Sequence, residues 1–159
     1  MSFSISSLTA SQGLLGISPA PGRFGDYVSD LQEILDWAPS LVLTMTESME
    51  LARLGADRFS QDLRAARISW VHLPIRDFGA PGADVLARWG ETSARAQAVL
   101  ASGGKVLAHC YGGCGRSGMA LLRLMVELGE DGPAALARLR EVRPCAVETE
   151  AQAAWAMRL

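Results

Sequence analysis

The sequence predicts an α/β layered fold in a single domain, on three observations. Short apolar or β-branched runs alternate along the chain with longer segments of helical periodicity. The length of 159 residues fits one domain, and no repeat or long linker divides it. A hydrophobic content of 49% with 20% charged residues argues against disorder. We therefore expect residues 1–159 to form one domain.

The predicted strands are short runs bounded by residues that disfavour a sheet. Proline at position 74 stops the fourth run, and the Gly103–Gly104 turn precedes the fifth. The first run alternates only weakly, which indicates an edge strand. The five predicted strands span 3–5, 13–18, 41–45, 68–73 and 105–109.

The predicted helices show apolar residues at helical spacing and recognisable ends. A first helix carries Leu31, Ile34 and Leu35, and Ser29 with Gln32 suggests its capping box. Pro133 lies in the first turn of the sixth helix. The later helices span about 47–54, 61–66, 84–101, 117–128 and 133–142, with a last one from near Thr149. On the long helix 84–101 we expect an apolar face of Val85, Leu86, Trp89, Val99 and Leu100.

Charge and cysteine content exclude several classes of protein. A net charge of −2 gives no general electrostatic case for nucleic-acid binding. Three cysteines do not make a secreted disulfide framework and favour a reducing compartment. The N-terminal stretch lacks the pattern of a signal peptide, and no window holds eighteen consecutive apolar residues. These features predict a cytoplasmic protein that binds neither nucleic acid nor membrane.

A glycine-rich loop between the strand at 105–109 and the next helix is the candidate site. Helix N-termini and glycine loops bind anions through free N–H groups, and Gly112, Gly113 and Gly115 permit unusual φ angles. The loop lacks the Gly-Lys-Ser/Thr ending of a P-loop NTPase and the Rossmann spacing. Cys110 begins it, and Arg116 follows six residues later. A cysteine facing N–H groups, a helix dipole and a guanidinium is expected to have a lowered pKa and to act as a nucleophile.

The segment His109-Cys110-(five residues)-Arg116-Ser117 resembles the H-C-x5-R-[ST] signature of cysteine-dependent protein tyrosine phosphatases. The likeness runs from about Leu15 to Trp155 and is greatest to small dual-specificity enzymes of the cyclin-dependent-kinase-associated phosphatase type. It implies a tyrosine-phosphatase-like fold, with a central, mostly parallel sheet flanked by helices on both faces. It also implies phosphate binding by the loop residues Tyr111, Gly112, Gly113, Cys114, Gly115 and Arg116.

The resemblance extends to two further segments. Leu73 to Pro81 matches the mobile acid loop of that family, and Asp77 stands at the position of the acid. In the late segment Val147 to Gln152, Gln152 matches a glutamine that positions water, whereas Glu148 replaces another glutamine. A carboxylate repels phosphate, so we expect Glu148 to point elsewhere or to act only in the second step. Thr149 with Gln152 is equally a capping box for the last helix.

The implied reaction is metal-independent hydrolysis of a phosphomonoester through a phosphocysteine, with neither cofactor nor metal ion. Cys110 attacks phosphorus, Arg116 stabilises the equatorial oxygens and Asp77 protonates the leaving group. Ser117 stabilises the departing thiolate, and His109 holds the shape of the loop. The alternatives are sulfur transfer or arsenate reduction, a phosphatase for a phosphoinositide or nucleotide, and a catalytically idle phosphate-binding module.

The expected substrate is a phosphorylated protein or a small phosphoester, and the expected state is a monomer. Tyr111 and Phe78 favour an aromatic leaving group, and the loop has no lysine for a polyphosphorylated inositide. We interpret Cys145 as a buried structural thiol, whereas Cys114 is a candidate disulfide partner for oxidised Cys110. A zinc site from His109, Cys110 and Cys114 lacks a fourth ligand at suitable spacing. His72 and the four tryptophans are expected in the core.

Overall fold

The computed structural model describes residues 2–158, and its elements follow the predicted alternation. The strands are β1 (Ser6–Ala10), β2 (Gly13–Ser18), β3 (Leu41–Thr44), β4 (Ser69–His72) and β5 (Lys105–His109). The helices are α1 (Tyr27–Trp37), α2 (Ser48–Arg53), α3 (Phe59–Ala65), α4 (Ala83–Ala101), α5 (Gly115–Glu127), α6 (Gly132–Val142) and α7 (Glu150–Met157). Within the described part of the chain, no helix combines the length and the apolar character that crossing a membrane requires.

One five-stranded sheet, in the order β1-β2-β5-β3-β4, organises the molecule. β1 is antiparallel to β2, and the other neighbours are parallel, which confirms the mostly parallel sheet. The first strand was predicted three residues too early. Phe3 is instead a buried core residue ahead of the strand. Its apolar side chain contributed to the alternation from which the strand was predicted.

Alternate residues of the central strands face opposite layers of helices, as a period of two requires. Leu41, Leu43 and Val106 belong to the larger core, which includes residues of α4, α5, α6 and α7. Val42 and Leu107 belong to the second core, with residues of α1 and α3. Helices on both faces of the sheet are therefore confirmed.

Two details of the helices were predicted wrongly. The N-cap of α1 is Asp26, whose carboxylate accepts from the Ser29 N–H, so Ser29 and Gln32 do not form the capping box. Asp26, three residues before Ser29, caps the helix instead, because aspartate is among the strongest N-cap residues. Leu86 of α4 is 49% exposed, because the buried stripe of that helix follows Val85 and Trp89 instead. The capping box of Thr149 and Gln152 at α7 is confirmed.

Candidate active site

The site lies at the carboxyl ends of the parallel strands. Ser18 and Thr44 both lie in register with His109, and Thr44 also lies in register with His72. Because parallel strands end at the same edge of the sheet, the segments that follow β2, β3, β4 and β5 meet there. Cys110 follows β5 directly, and Asp77 lies in the segment that follows β4.

The loop from Cys110 to Cys114, which we call the phosphate loop, turns its carbonyl groups away from the site. The oxygen of Tyr111 accepts from the Ala20 N–H at 3.1 Å, and that of Gly113 accepts from Arg143 Nε at 2.9 Å. The oxygen of Cys114 accepts from the N–H of Gly118 at 2.9 Å.

Amide groups point the opposite way from these carbonyls. Within residues 2–158, no protein acceptor receives the N–H groups from Tyr111 through Arg116. These groups form a nest at the N-terminus of the 13-residue helix α5. The geometry is that of an anion-binding site.

Cys110 is the free cysteine among the described residues, and it is only 3% exposed. Its Sγ lies 3.2 Å from the hydroxyl oxygen of Ser117, on the first turn of α5. The hydroxyl is therefore placed to donate a hydrogen bond to a thiolate at this position.

Arg116 is buried, and its guanidinium donates to three oxygen atoms of two residues. It donates to both carboxylate oxygens of Glu50, at 2.7 and 2.8 Å, and to the carbonyl of Ile75 at 2.9 Å. Burial by itself would lower the pKa of Arg116, but the hydrogen bonds that it donates to Glu50 and the negative charges of Cys110, Glu50 and Asp77 together more than offset burial, so the pKa is raised. Burial would raise the pKa of Glu50, but the hydrogen bonds from Arg116 and the Glu47 N–H, together with the positive charge of Arg116, hold that pKa below its usual value.

One donor of Arg116 remains free. Its buried Nε has no partner in residues 2–158. A buried N–H without an acceptor costs free energy, so this N–H is available to an acceptor that enters the site.

Asp77 lies beside this guanidinium on a strained turn. Its Oδ1 is 3.2 Å from Arg116 Nη2 and accepts from the Phe78 N–H at 3.0 Å. Phe78 has a φ of 62°, which a bulky residue rarely adopts, and its side chain is 60% exposed. The turn therefore displays both the carboxylate and an aromatic ring.

A buried hydrogen-bonded chain supports the start of the phosphate loop. The Trp70 indole donates to Thr44 Oγ1 at 2.7 Å, and the same oxygen is 2.7 Å from His109 Nε2. His109 Nδ1 lies 3.3 Å from the Cys110 carbonyl oxygen. Burial lowers the pKa of His109 to about 4, so the ring is neutral at pH 7. We assign its proton to Nδ1, because Thr44 then donates to Nε2 and every group has a partner.

The segment between α6 and α7 contacts the phosphate loop on its carbonyl side. Arg143 donates to the carbonyls of Gly113 and, at 3.4 Å, Gly112. The same guanidinium reaches the hydroxyls of Ser4 and Ser6, at 3.4 and 3.3 Å. Burial lowers the pKa of Arg143.

The cysteines pair differently from the prediction. Cys114 forms a disulfide with Cys145, and the bridge joins the phosphate loop to the α6–α7 segment. Cys145 is exposed rather than a buried thiol, and Cys114 is not free to pair with Cys110. A separation of 31 residues hid this pair, because only the fold brings the two segments together.

Gln152 and Glu148 both lie near the loop. The Gln152 side-chain oxygen accepts from the Glu148 N–H at 2.8 Å, and its Nε2 donates to the Gly79 carbonyl at 3.1 Å, so Gln152 ties α7 to the turn that carries Asp77. The Glu148 carboxylate lies against Gly115 and lines the cleft of Cys110, so it does not point away. A role for either residue in positioning water stays a prediction.

The cleft above Cys110 has a volume of about 750 Å³. The Arg23 guanidinium lies 4.2 Å from the centre of the Tyr111 ring, and the exposed rings of Phe24 and Phe78 add apolar surface to the cleft walls. Tyr111 and Phe78 both line this cleft, and their contact with an aromatic leaving group stays a prediction.

Of the residues expected in the core, Trp89 is buried, whereas Trp37, Trp70, Trp155 and His72 are only partly buried. His72 is satisfied by the Thr46 carbonyl at 2.7 Å, but it is only half-buried and stacks on Trp70.

Three residues at the site were not predicted. They are Glu50, Thr44 and Arg143, which lie 66, 65 and 30 residues along the chain from their respective partners Arg116, His109 and Gly113. A charged residue directly after a helix, such as Arg143 before Pro144, is only weak sequence evidence of a role at the site.

Comparison with known families matches residues 20–130 to the family described as "Polymorphic toxin system, DSP-PTPase phosphatase". A structure of kinase associated phosphatase (KAP), with its catalytic-site cysteine replaced by serine, is similar at a TM-score of 0.85 and 23% identity, over 98% of this chain and 93% of that one. The structure of Tk-PTP in the active form is similar at a TM-score of 0.70 and 29% identity, over 87% of this chain and 85% of that one. The structure of PTPMT1 in complex with PI(5)P is similar at a TM-score of 0.74 and 18% identity, over 95% of this chain and 92% of that one. A search of curated proteins returns no match.

Proposed function

Because the chain belongs to the DSP-PTPase phosphatase family of polymorphic toxin systems, we propose that Cys110, Arg116 and Asp77 carry out its reaction. The family identifies the protein as a cysteine-dependent phosphatase of the dual-specificity type, and the resemblance to small KAP-like enzymes is confirmed. We further propose that residues 1–159 form a single phosphatase domain.

In the first step, the Cys110 thiolate attacks phosphorus in line with the leaving oxygen. The phosphoryl oxygens bind the free N–H groups of the phosphate loop and the Nε–H of Arg116. Asp77 gives a proton to the leaving oxygen, because an alkoxide or phenolate is otherwise a poor leaving group. The P–O bond breaks as the P–S bond forms, which leaves a phosphocysteine.

In the second step, water cleaves the phosphocysteine. Asp77, now ionised, removes a proton from the water as its oxygen attacks phosphorus. The Ser117 hydroxyl, 3.2 Å from Sγ, donates to the thiolate as the P–S bond breaks. Inorganic phosphate leaves, and Cys110 is regenerated.

The single observation that carries this proposal is the set of unused hydrogen-bond donors in the segment that follows Cys110. Loop amides from Tyr111 through Arg116 and the buried Nε of Arg116 have no acceptor among the described residues. A structural loop of this kind would have satisfied its buried donors. A tetrahedral oxyanion satisfies them together.

The favoured substrate is a phosphorylated protein, with phosphotyrosine ahead of phosphoserine and phosphothreonine. Phe24, Phe78 and Tyr111 supply aromatic surface to the cleft, which suits an aryl leaving group. The alternative is a phosphoinositide, since PTPMT1 was solved with PI(5)P. Against it, Arg143 is already bound to loop carbonyls, and the Glu148 carboxylate lines the cleft.

Hydrolysis of an aryl phosphate in the presence of a chelator tests the proposal. We expect activity to persist with the chelator, to disappear in Cys110→Ser and to fall by about 10²-fold or more in Asp77→Ala. Asp84→Ala is the matched control, because Asp84 is an exposed aspartate that pairs only with Arg88. Full activity in Cys110→Ser would overturn the mechanism.

A panel of substrates separates the candidate classes. Phosphotyrosine, phosphoserine and phosphothreonine peptides, PI(5)P vesicles and nucleotides are compared by phosphate release, and kcat/KM ranks them. Preference for the phosphotyrosine peptide supports the protein phosphatase, whereas preference for the lipid supports the alternative. Turnover of thiosulfate with cyanide in place of phosphoesters would instead indicate sulfur transfer.

A further inference from the structure

The phosphate loop is held by the α6–α7 segment through contacts of two kinds. Hydrogen bonds join Arg143 to the carbonyls of Gly112 and Gly113, and the Val147 N–H to the carbonyl of Cys114 at 3.2 Å. The disulfide between Cys114 and Cys145 is the covalent contact. All of them act on the outer, carbonyl side of the loop.

Holding the carbonyls outward keeps the amide N–H groups of the same peptides turned toward the anion site. Outside this segment, the Ala20 N–H and the Gly118 N–H hold the carbonyls of Tyr111 and Cys114, but the carbonyls of Gly112 and Gly113 are held by Arg143. The glycines themselves do little to fix the orientation, because they have low conformational barriers. Gly113 already has a φ of +72°, and nothing contacts the Cβ position of Gly112 within 4 Å. A loop that is free to rotate its peptides must be ordered again when an anion binds, and that ordering weakens binding.

We propose that Cys114 and Cys145 form a thiol–disulfide exchange site whose oxidation state sets the oxyanion affinity of the phosphate loop. The bridged form binds phosphate tightly because the loop is pre-organised, and the reduced form binds it more weakly. The proposal rests on the proposed function, in that the phosphate loop is the substrate's phosphate site.

The bridge is accessible to a thiol reductant. Cys145 is exposed, whereas Cys114 is half-buried, so an attacking thiolate reaches the Cys145 sulfur first. A bond forms between the reductant and Cys145, and the bond to Cys114 breaks. Cys114 leaves as a thiolate at the N-cap of α5, where helix N–H groups stabilise negative charge.

The exchange balances with a dithiol as the reductant. Its second thiol attacks the mixed disulfide at the reductant's own sulfur and releases Cys145. The dithiol loses two electrons and two protons and becomes a disulfide, and the protein gains two thiols. A disulfide-bonded oxidant of the same class reverses the reaction.

The test uses Cys110→Ser as the background, so that Cys114 and Cys145 are the remaining cysteines and no nucleophile is affected by the redox treatment. Inorganic phosphate is titrated by calorimetry into this variant, first bridged and then reduced with dithiothreitol. We expect reduction to weaken phosphate binding by about 5- to 30-fold, which corresponds to the cost of ordering one loop residue. Re-oxidation is expected to restore the affinity.

Two controls isolate the bridge. In the background variant that also carries Cys145→Ser, we expect the weaker affinity with and without dithiothreitol. Cys145→Ala in the same background is a second variant without the bridge, and circular dichroism is used to check that both variants fold. In active enzyme that retains Cys110, reduction is expected to raise the KM for an aryl phosphate more than it changes kcat.

Several results would overturn the inference. Equal phosphate affinity in the two redox states would do so, as would tighter binding after reduction. Two titratable thiols in the untreated Cys110→Ser protein would show that no bridge forms. Failure of the proposed function looks different: phosphate would bind in neither state, or Cys110→Ser would still hydrolyse phosphoesters.

Discussion

The adjacent glycines 112 and 113 of the phosphate loop predict sharply different responses to the same substitution. Gly113 has a φ of +72°, and a Cβ added there would lie 2.5 Å from the carbonyl carbon of Ser18 and 2.6 Å from the nitrogen of Pro19. It would also overlap the Arg143 guanidinium. Gly112 has no positive φ, and nothing lies within 4 Å of its Cβ position.

The cost of Gly113→Ala has two parts. A left-handed conformation costs an L-residue about 1–2 kcal/mol. The overlap with backbone atoms adds about 1–3 kcal/mol, as overpacking does elsewhere, because backbone cannot rotate away as a side chain can. The sum is about 2–5 kcal/mol for Gly113→Ala, against less than about 1 kcal/mol for Gly112→Ala.

Urea unfolding at pH 7 measures both variants against the parent protein. We expect Gly113→Ala to lower the free energy of unfolding by the larger amount and to lose most phosphatase activity, since the loop must shift away from Pro19. Gly112→Ala tests the reasoning by contrast. Equal losses of stability in the two variants would refute the steric argument.

Three further predictions concern the buried groups around the loop. Glu50→Ala breaks a buried ion pair and is expected to cost about 3 kcal/mol, with a coupling to Arg116 of about 2 kcal/mol in a double-mutant cycle; additivity within about 0.5 kcal/mol would contradict this. Burial lowers the pKa of His109 from 6.5 to about 4, so its contribution to stability is complete above pH 6.5 and is lost as the pH falls toward 4. At pH 5 the loss is about 2 kcal/mol, which urea unfolding of His109→Asn should lack; an equal pH dependence in both proteins would count against it. Mild peroxide on the bridged protein should carry Cys110 to the sulfinic acid without a bridge to another cysteine, because the other two are already paired. Mass spectrometry that finds Cys110 in a disulfide would contradict this.

Local signals were sufficient for most of the fold. β2 and β5 match their predicted spans because glycines bound both runs, and their apolar residues are buried from both faces. α6 matches closely because Pro133 marks its first turn. The prediction of 3–5 as a strand was wrong because Phe3 is buried by tertiary contacts.

The residues of the candidate site likewise divide into those that a local sequence pattern predicts and those that it does not. Cys110, Arg116 and Ser117 lie within one strand–loop–helix segment, so their spacing along the chain indicates their proximity. Glu50 and Cys145 reach the site from other segments, and no local pattern encodes that approach. The order of strands in the sheet brings Glu50 to the site, and the packing of α6 and α7 on α5 brings Cys145 there.

The contact of Arg143 with Ser4 and Ser6 has a practical consequence for handling the protein. Ser2, Ser4 and Ser6 line the cleft of Cys110, so the chain enters the fold at the mouth of the active site. A purification tag fused ahead of the chain would emerge beside the substrate, where a flexible polypeptide can obstruct large phosphoproteins while admitting small aryl phosphates. Recombinant protein for substrate profiling is therefore better tagged after α7, or freed of its N-terminal tag before assay.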